Sequence, residues 1–466
     1  MLTAHAGRRR PIARTVPAMM NLSGLLSARV PRYTSYPTAP HFTPAVDAAV
    51  YASWLEALPP GQPLSLYIHI PFCDTLCWFC GCHTSVVRQY APVAAYLATL
   101  LQEIELVAAR IGPDHPVTHL HWGGGSPTIL NAAHIATLTA ALKRHFPFAD
   151  GAEFAVEIDP RDLTDETIAA LAKAGVNRAS VGVQDESPAV QQAINRIQPH
   201  AITKSAIDRL RAAGIGDINI DLIYGLPHQG VPEITATVAR TLELQPQRFA
   251  VFGYAHVPHF KKHMDLIDVE ALAGTEDRLN QYLMAHRLLC EAGYVPVGLD
   301  HFSLPEDGLA QALSAGRLMR NFQGYTDDGA AAMIGLGASS IGALSQGYVQ
   351  NIPAVPEYRK MVEAGNLPVA RGIAFSEDDR LRRAIIERLM CDLSVDLDAV
   401  AAPFGKNHRD FSDELARLQP LVSGGFVHIS GGVITVPADA RFGVRLVASA
   451  FDAYLPRGGA VHSVAV

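Results

Sequence analysis

The segment that decides the fold reads Leu64-Ser-Leu-Tyr-Ile-His-Ile70, followed directly by Pro71-Phe-Cys73-Asp-Thr-Leu-Cys77-Trp-Phe-Cys80-Gly-Cys82. Its first seven residues are mostly apolar and predict a buried strand. The cysteines that follow lie in a loop, which can wrap several thiolates around one centre, whereas a helix would splay some of them apart. A strand that ends in such a loop predicts a metal site at the C-terminal end of a sheet.

Strand and helix patterns alternate from this first strand to about residue 255. The sequence predicts five further strands, near residues 119–122, 153–158, 179–184, 218–223 and 249–255. Six successive β–α units imply a parallel sheet with right-handed crossovers. Since no G-x-G-x-x-G opens a helix after the first strand, the pattern favours a full or partial barrel over a dinucleotide-binding sheet.

Two further regions flank the predicted barrel. The C-terminal region reads as a helix near 378–391, then loops, then a Gly-punctuated hairpin of 425–429 with 433–436, and a last helix. We therefore predict an α/β chain of three parts: an N-terminal extension and arm at 1–45, a partial (β/α)6 barrel at 46–365, and a small, mostly helical, winged-helix-like C-terminal domain at 366–466.

The composition limits the classes of function. The 466 residues are 49% hydrophobic and 18% charged, which is enough apolar material for a sizeable core. A formal net charge of -7 argues against a nucleic-acid binder, and no uninterrupted apolar stretch approaches the roughly 18 residues of a membrane span. Four of the six cysteines lie between Cys73 and Cys82, which indicates a metal site in a reducing compartment, here the cytoplasm.

The N-terminal extension is basic. No acidic residue precedes Asp47, whereas six arginines do: Arg8, Arg9, Arg10, Arg14, Arg29 and Arg32. Such a start is typical of an organelle transit peptide and also of a disordered basic extension, and both interpretations stay open. The segment Arg32-Tyr-Thr-Ser-Tyr-Pro37 mixes aromatic and cationic side chains, and its local pattern predicts an arm packed on the surface.

Three of the four clustered cysteines suffice for a particular kind of metal centre. A structural zinc site takes four ligands, often from two C-x-x-C pairs, and the chain has no second pair. Cys290 and Cys391 are isolated in the sequence and are expected to be small buried side chains. Three thiolates can instead hold a four-iron cluster with one iron left open for a substrate or cofactor. The C-x-x-x-C-x-x-C spacing of Cys73, Cys77 and Cys80 resembles the signature of radical S-adenosylmethionine (SAM) enzymes.

The neighbours of these three cysteines are less specific. As a fourth ligand, Cys82 would crowd the loop and close the open iron. Two interpretations of Cys82 remain: a thiol on the substrate side of the centre, or a small side chain packed beside Gly81. Trp78 and Phe79 either shelter the cluster or pack as ordinary core residues.

Polar residues or glycines lie at the C-terminal end of each predicted strand after the first. In parallel barrels the C-terminal strand ends share one face, so we expect these residues to line a common pocket. They are Gly123-Gly-Gly-Ser126 after the second strand, Glu157 and Asp159 after the third, Gln184-Asp185 with Asn195-Arg196 after the fourth, Asp221 on the fifth, and Tyr254-Ala-His256 after the sixth.

A set of longer motifs makes the resemblance more specific. The chain contains, in order, Arg32-Tyr-Thr-Ser-Tyr-Pro37, Tyr67-Ile-His-Ile-Pro-Phe-Cys73, Gly81-Cys82, His121-Trp-Gly-Gly-Gly-Ser-Pro-Thr128, Gly182-Val-Gln-Asp185, Asn219-Ile-Asp-Leu-Ile-Tyr-Gly-Leu-Pro227 and Asn321-Phe-Gln-Gly-Tyr-Thr326. This series resembles the oxygen-independent coproporphyrinogen III oxidase family, or coproporphyrinogen dehydrogenases, of the radical SAM superfamily. The resemblance spans about residues 30 to 455.

The resemblance implies a set of cofactor residues. Cys73, Cys77 and Cys80 would hold a [4Fe-4S] cluster, and two SAM molecules would bind beside each other. The positions that match the first SAM site are Tyr67, Gly124, Glu157, Ala255 and Ile341. Those that match the second site are Phe79, Gly125, Ser126, Gln184, Arg196 and Asp221.

The resemblance also implies a reaction. Two propionates of coproporphyrinogen III would each lose a hydrogen atom, CO2 and one electron to give the vinyl groups of protoporphyrinogen IX. Two SAM molecules would yield methionine and 5′-deoxyadenosine. Cys82, Asp221, Gln323 and Arg32 are the residues expected on the substrate side. We expect Arg32 to contact a propionate carboxylate, and Asp221 is a second candidate, facing the pyrrole N–H groups.

The implied partners are an electron donor such as flavodoxin or ferredoxin and an electron acceptor that the sequence does not identify; a monomer is expected. Three other functions compete with this interpretation: a haem chaperone of the same superfamily, an anaerobic haem-degrading radical enzyme, and a zinc or electron-transfer protein. The C-x-C ending at Cys82 and the Arg32–Pro37 arm favour the oxidase over the chaperone.

Overall fold

The computed structural model describes residues 28–455. The basic extension with Arg8, Arg9, Arg10 and Arg14 lies outside the described residues, and so does the end of the chain from 456 to 466. Arg29, Arg32 and the rest of the arm are within the described part.

The strands of the described chain are short in the C-terminal third and long in the barrel. In chain order they are β1 (Leu64–Ile70), β2 (Phe72–Cys73), β3 (Ser85–Val86), β4 (Val117–Gly124), β5 (Phe148–Ile158), β6 (Arg178–Gln184), β7 (Asp217–Tyr224), β8 (Arg248–Gly253), β9 (Val295–Val297), β10 (His301–Ser303), β11 (Met319–Asn321), β12 (Gly324–Thr326), β13 (Ala332–Leu336), β14 (Ile341–Leu344), β15 (Gly347–Asn351), β16 (Val369–Ala374), β17 (Ser394–Asp396), β18 (His428–Ser430) and β19 (Val433–Thr435).

The α-helices alternate with the barrel strands and then dominate the C-terminal part. They are α1 (Ala48–Glu56), α2 (Ala91–Ile111), α3 (Ala132–His145), α4 (Asp165–Ala174), α5 (Pro188–Ala193), α6 (His200–Ala212), α7 (Val231–Leu242), α8 (Thr275–Glu291), α9 (Gly308–Ser314), α10 (Val355–Glu363), α11 (Glu377–Asp392), α12 (Leu397–Ala401), α13 (Ser412–Ser423) and α14 (Val444–Ser449). The side chains of Asn131 and Thr164 accept hydrogen bonds at the starts of α3 and α4, as capping residues do.

One large sheet forms the barrel. Its strand order is β16-β15-β14-β13-β1-β4-β5-β6-β7-β8-β10-β9, and the stretch from β13 to β8 is parallel. The six predicted strands are confirmed. A seventh parallel strand, β13, pairs with β1, and the sequence analysis missed it because it is short and follows β8 by almost eighty residues. The order runs linearly from β16 to β9, so the barrel is partial.

Helix α2 covers the sheet from outside. It is the one described helix long and apolar enough, by length and composition, to cross a membrane. Val93, Leu100 and Ile104 of this helix are fully buried against the sheet. Its carboxylate Glu103 accepts hydrogen bonds from the N–H of Gly337 (2.7 Å) and from other donors inside the molecule. We interpret α2 as a core helix that packs on the barrel.

The C-terminal part has its own core. Helices α11 to α14 and a three-stranded sheet, ordered β17-β19-β18, surround buried Leu389, Val427 and Val447. The predicted hairpin of this region is confirmed, with β17 as an additional strand. The large sheet itself continues through β16, past the boundary expected at residue 366.

The N-terminal arm lies inside the molecule. Tyr33 and Tyr36 are 3% and 2% exposed and belong to the core of the C-terminal part. The Tyr33 hydroxyl donates to Asp452 Oδ2 at 3.0 Å, and the N–H of Ala453 donates to the Tyr36 hydroxyl at 3.1 Å. The prediction of an arm packed on the surface is therefore wrong, because Tyr33 and Tyr36 are buried in a hydrophobic core.

Candidate active site

A cavity of about 370 Å³ opens at the C-terminal ends of the barrel strands. It is lined by most of the residues that the sequence analysis singled out. These are Arg32, Cys73, Cys77, Phe79, Cys80, Cys82, Gly124, Gly125, Glu157, Gln184, Arg196, Asp221 and Ala255. Residues from the arm, the cysteine loop and five strand ends thus meet in one place, as parallel barrels predict.

The cysteine loop is fixed at both ends. Its short strands β2 and β3 pair with each other, and the Cys73 thiol contacts the Thr84 hydroxyl at 3.1 Å. In the middle, Asn195 Nδ2 donates to the carbonyl of Leu76 at 2.8 Å, and the N–H of Trp78 donates to the carbonyl of Ile194. The segment after β6 therefore positions the loop between Cys73 and Cys80.

Cys73, Cys77 and Cys80 supply three thiolates, the donor type of an iron–sulfur cluster. Among residues 28–455, no group of three His, Cys, Asp or Glu side chains converges as the ligands of one metal ion do. Cys73, Cys77 and Cys80 instead line the cavity together, with Cys77 buried and the other two half-buried. A four-iron cluster places each thiolate on a different iron, so its ligands stand further apart. The chemistry of this donor set fits such a cluster.

Glycines at the end of β4 let the backbone approach the cysteine loop. Gly124 has a φ of +117°, and a Cβ there would lie 2.8 Å from the His69 ring. A Cβ on Gly125 would lie 2.5 Å from the carbonyl oxygen of Phe72. A side chain at either position would push β4 away from the loop, which is a physical reason for glycine at both.

Glu157 lies beside these glycines. Its carboxylate accepts from the N–H of Gly124 at 3.1 Å and lies 3.2 Å from His121 Nε2. Burial alone would raise the pKa of Glu157, but the hydrogen bonds from His121 and Gly124 outweigh it and hold the pKa below its usual value. Glu157 is therefore an anionic acceptor in the cavity, suited to an amino or hydroxyl group.

Two arginines share the carboxylate of Asp159, which follows the end of β5. Arg196 Nη1 lies 3.0 Å from Asp159 Oδ2, and Arg161 Nη2 lies 2.6 Å from the same oxygen. Despite its burial, the pKa of Asp159 falls to about 2 because Arg161 and Arg196 stabilise its charge. Arg196 was predicted from the sequence and Arg161 was not, although its position two residues after Asp159 in a tight turn was an available signal.

Gln184 is held in an unusual backbone conformation. Its φ is +70°, in the left-handed region that residues other than glycine rarely adopt. The next residue, Asp185, is fully buried and accepts hydrogen bonds from Gln229 Nε2 at 2.7 Å and the Ser187 N–H at 2.6 Å. Asp185 thus anchors the strand end from below, while Gln184 lines the cavity.

Asp221 lies in the interior of the barrel. Its oxygens accept hydrogen bonds from Ser180 at 3.0 Å and from Asn219 at 2.8 Å. Burial, with a smaller contribution from the charge of Glu157, raises the pKa of Asp221 to about 6. This carboxyl group can therefore exchange a proton near neutral pH.

Arg32 enters the cavity from the arm. Its Nη2 donates to the carbonyl of Gly253 at the end of β8 at 2.6 Å. Two other arginines bind backbone carbonyls of the arm. Arg445 Nε donates to the carbonyl of Pro31 at 3.0 Å, and Arg320 Nη2 donates to the carbonyl of Arg32 at 3.4 Å. Burial lowers the pKa of Arg32, and the charge of Asp300 partly offsets that effect. The sequence analysis missed Arg320 and Arg445, since both are distant from Arg32 in the chain.

Four predicted site residues do not line the cavity. Tyr67 lies just behind it, with its hydroxyl 3.0 Å from His69 Nδ1 and its ring stacked on His121. Ser126 donates its N–H to the Phe72 carbonyl. Ile341 is half-buried at the start of β14, and Gln323 is exposed at the turn between β11 and β12.

Cys82 is exposed and lines the cavity. This exposure favours the interpretation of Cys82 as a thiol at the cavity over that of a small packed side chain. Its N–H donates to Cys80 Sγ at 3.4 Å, and Lys261 Nζ donates to its carbonyl at 2.8 Å. His263 Nε2 similarly lies 2.8 Å from the Cys80 carbonyl. The segment after β8 thus covers the last turn of the cysteine loop, a contact that no local pattern indicated.

Family models match both the barrel and the C-terminal part. The model described as the Radical SAM superfamily matches residues 67–240, and the HemN C-terminal domain matches residues 375–442. The first range contains the cysteine loop and the strand ends through β7. The second begins directly after β16.

Curated relatives and a solved structure match nearly the whole chain. The oxygen-independent coproporphyrinogen III oxidase of Bradyrhizobium diazoefficiens is 51% identical over 438 residues, covering 94% of this chain and 97% of the relative. The enzyme of that name from Paracoccus denitrificans is 44% identical over 446 residues, covering 95% and 98%. The structure of coproporphyrinogen III oxidase (HemN) from Escherichia coli, described as a radical SAM enzyme, matches with a TM-score of 0.87 and 38% identity, covering 91% and 98%.

Proposed function

The chain belongs to the oxygen-independent coproporphyrinogen III oxidases, and from that premise we propose that it converts coproporphyrinogen III to protoporphyrinogen IX by radical SAM chemistry. Two propionates would each lose a hydrogen atom, CO2 and one electron, leaving vinyl groups. The observation that carries the proposal is the cavity in which the cysteine loop, Glu157, Arg196, Asp221 and Arg32 meet. A chaperone or a haem-degrading enzyme of the superfamily has no comparable support from the relatives at 44–51% identity.

Cys73, Cys77 and Cys80 would hold the cluster, and the glycines beside them would admit the cofactor. When bound, the [4Fe-4S] cluster and SAM supply the radical that takes the hydrogen atom from a propionate. The chain's own contribution is positional. Gly124 and Gly125 keep the end of β4 close to the loop.

We further propose two SAM subsites. Glu157, together with Tyr67, Gly124, Ala255 and Ile341, belongs to the first. Arg196, together with Phe79, Gly125, Ser126, Gln184 and Asp221, belongs to the second. The chemistry of the two charged residues supports this division, because Glu157 can accept from an amino or ribose group and Arg196 can donate two parallel hydrogen bonds to a carboxylate.

The substrate side of the cavity would be cationic. Coproporphyrinogen III carries four carboxylates, and Arg32 lines the cavity where the arm meets β8. We propose that Arg32 orients a propionate, with Gln323 and Cys82 as further residues on the substrate side. Asp221 is the second hypothesis for a substrate contact: its carboxyl group could accept from a pyrrole N–H, and its proximity to Glu157 allows it to serve the cofactor instead.

The remaining partners follow from the reaction. An external one-electron donor such as flavodoxin or ferredoxin would reduce the cluster, and an acceptor would take the electron released with CO2. All six cysteines are free, so we place the protein in the cytoplasm, where thiols stay reduced. We propose that it acts as a monomer, and light scattering of the loaded protein tests that statement.

An anaerobic assay tests the proposed function. The full chain, reconstituted with iron and sulfide, is mixed with SAM, dithionite and coproporphyrinogen III, and products are identified by mass. We expect about four irons per chain, 5′-deoxyadenosine and protoporphyrinogen IX. Cys77→Ala is the matched control, since it removes one cluster ligand and leaves the exposed Cys82 in place.

Three outcomes would contradict the proposal. A sample with a full cluster that yields no protoporphyrinogen IX would exclude the oxidase. Stoichiometric zinc in place of iron, with no SAM cleavage, would favour the zinc interpretation. Release of a haem cleavage product when haem replaces the substrate would point to the haem-degrading enzyme.

A further inference from the structure

The Cys77 thiol has an unusual electrostatic environment. It is 7% exposed, and two guanidinium groups point at its sulfur. Arg161 Nη2 and Arg196 Nη1 each lie 3.5 Å from Cys77 Sγ. Sulfur is a weak acceptor, and its acceptor strength increases when the thiol is ionised or bound to a metal. Two cations and one anion, Asp159, therefore stand at a predicted cluster ligand.

The two arginines differ in how they are held. Arg196 also donates to the carbonyl of Gly182 at 2.7 Å, and it is the residue proposed to bind the carboxylate of the second SAM. Arg161 is bound mainly by Asp159, through Nε at 2.9 Å and its backbone N–H at 3.1 Å. Binding of a SAM carboxylate can draw Arg196 away from Cys77. Arg161 keeps its place because its own turn and Asp159 fix it.

Reduction of an iron–sulfur cluster adds one negative charge to the centre. A cation close to a ligating sulfur stabilises the reduced state more than the oxidised state, and an N–H donor to that sulfur acts in the same direction. The side chain of Arg161 offers both, and it is 13% exposed, so water screens it little. The resemblance to the family assigns this residue no role.

We propose that Arg161 raises the reduction potential of the cluster bound by Cys73, Cys77 and Cys80, by donating an N–H to the Cys77 sulfur while Asp159 holds its guanidinium in place. The proposal rests on the cluster of the proposed function. Arg161 is a positioning residue in this scheme, since it acts on the cluster through Cys77. A higher potential makes the first one-electron reduction easier for an external donor.

The competing explanation is structural. Arg161 pairs with Asp159, and it could lie near Cys77 merely because the two segments pack there. A structural role predicts that its loss weakens the loop and the fold. It does not predict a shift in the potential of a cluster that is fully assembled, so the potential separates the two explanations.

The experiment is a potentiometric titration without SAM or substrate. Wild type, Arg161→Leu, Arg161→Gln and Arg161→Lys are loaded anaerobically and titrated with dithionite and mediator dyes. The fraction of reduced cluster is read by electron paramagnetic resonance. For Arg161→Leu we expect the reduced-to-oxidised ratio at a fixed potential to fall roughly tenfold, a shift of about 59 mV to more negative values for one electron.

The other two variants separate charge from hydrogen bonding. Arg161→Lys keeps the cation, so its shift should be smaller than that of Arg161→Leu. Arg161→Gln keeps an N–H donor without the charge and should fall between wild type and Arg161→Leu. Arg209→Leu is the matched control: Arg209 binds Asp165 at 2.9 Å and the carbonyl of Leu163 at 3.0 Å, and it should leave the potential unchanged.

Each outcome decides the proposal. Arg161→Leu with about four irons and a wild-type potential overturns it. If Arg161→Leu does not hold the cluster, wild-type potentials in both Arg161→Gln and Arg161→Lys overturn it equally. Loss of the cluster from all three, while Arg209→Leu retains it, assigns Arg161 to building the loop and also overturns it. A wild-type protein without a cluster would instead refute the proposed function.

Discussion

The two ends of the barrel treat buried charge in opposite ways. At the N-terminal ends of the strands, Arg248 Nε contacts both oxygens of Asp307 at 2.7 and 2.8 Å, and Arg178 Nε donates to Glu153 at 2.8 Å. At the C-terminal ends, Arg32 donates to a backbone carbonyl, and Asp300 lies 3.8 Å from Arg320. At the N-terminal end of the strands, called the lower end here, the charged side chains pair with one another inside the protein. At the C-terminal end, called the upper end, some charged groups, such as Asp159, are also paired, but Arg32 and Asp221 face the cavity.

This difference separates stability from function. The charged side chains at the N-terminal ends of the strands have ion-pair partners within the fold, so removing one partner should destabilise the protein. Charges above face the cavity, where burial perturbs them: the pKa of Asp221 is raised and that of Arg32 is lowered. Their full set of partners arrives with ligands.

The largest effect is expected at the lower end. Asp307→Ala leaves the guanidinium of Arg248 buried without its carboxylate, removes a partner 3.7 Å from Arg178 Nη1, and deletes the cap of α9. We expect a loss of about 3–5 kcal/mol in the free energy of unfolding, as for a broken buried ion pair. Urea unfolding followed by circular dichroism measures it. A loss below about 1 kcal/mol would show that this end does not carry the stability assigned to it.

At the upper end, Arg32→Ala should affect binding rather than folding. Loss of a charge-assisted contact of about 1.5–3 kcal/mol predicts a rise of roughly 10- to 100-fold in the KM for coproporphyrinogen III. SAM cleavage without substrate should stay at the wild-type rate. Steady-state kinetics, with Arg32→Lys as the charge-preserving control, measure both. An unchanged KM in Arg32→Ala would remove Arg32 from the substrate side.

A smaller effect of opposite sign is expected for Asp221. In the unfolded chain its carboxyl ionises near its usual pKa, whereas in the folded protein the pKa is raised to about 6. Between these values the folded state binds more protons, so this group makes stability fall as pH rises from about 4 to 6. Asp221→Asn should flatten that dependence and raise the free energy of unfolding at pH 7 by about 1–2 kcal/mol.

Urea unfolding at a series of pH values tests the Asp221 prediction. Asp398→Asn is the control with the opposite sign, because hydrogen bonds from His408 lower the pKa of the exposed Asp398 carboxylate. That variant should lose stability above the usual carboxyl pKa rather than gain it. Identical pH profiles for wild type and Asp221→Asn would show that the pKa of Asp221 is not raised in the folded protein.

The smallest effect belongs to neither end. Lys204 and Asp208 form an exposed ion pair on α6, with 2.5 Å between Nζ and Oδ2. Asp208→Ala should change the free energy of unfolding by less than about 0.5 kcal/mol, because solvent screens such pairs. The same urea experiment measures it. A loss as large as that of Asp307→Ala would mean that burial is not what distinguishes the lower ion pairs.

The sequence was informative where the signal is local. The strand β1 with its cysteine loop and the polar strand ends depend on neighbours in the chain, and their positions were predicted. The residues that were missed act over long distances. Arg445 reaches the arm from the last helix, 414 residues away, and β13 joins β1 across most of the barrel. Such contacts depend on tertiary packing, which no local pattern encodes.

The placement of the arm was missed for the same reason. The pattern of Arg32-Tyr-Thr-Ser-Tyr-Pro37 predicts a surface segment, because its proline and small polar residues favour turns. Its burial depends on the core of the C-terminal part, which supplies the surfaces for Tyr33 and Tyr36. Arg161 was close in sequence to Asp159 but could not be assigned a partner until the cysteine loop was placed beside it.

The arm also sets the order in which the site is completed during synthesis. The hydrogen bond between Tyr33 and Asp452 joins residues 419 positions apart. At about 5–20 residues per second, the ribosome needs about 20 to 80 s to make the second partner after the first. Early in that interval the cysteine loop is made, whereas the core that buries Tyr33 is complete only at its end. The arm is thus made early in synthesis and can take its final place only after the C-terminal part has been made.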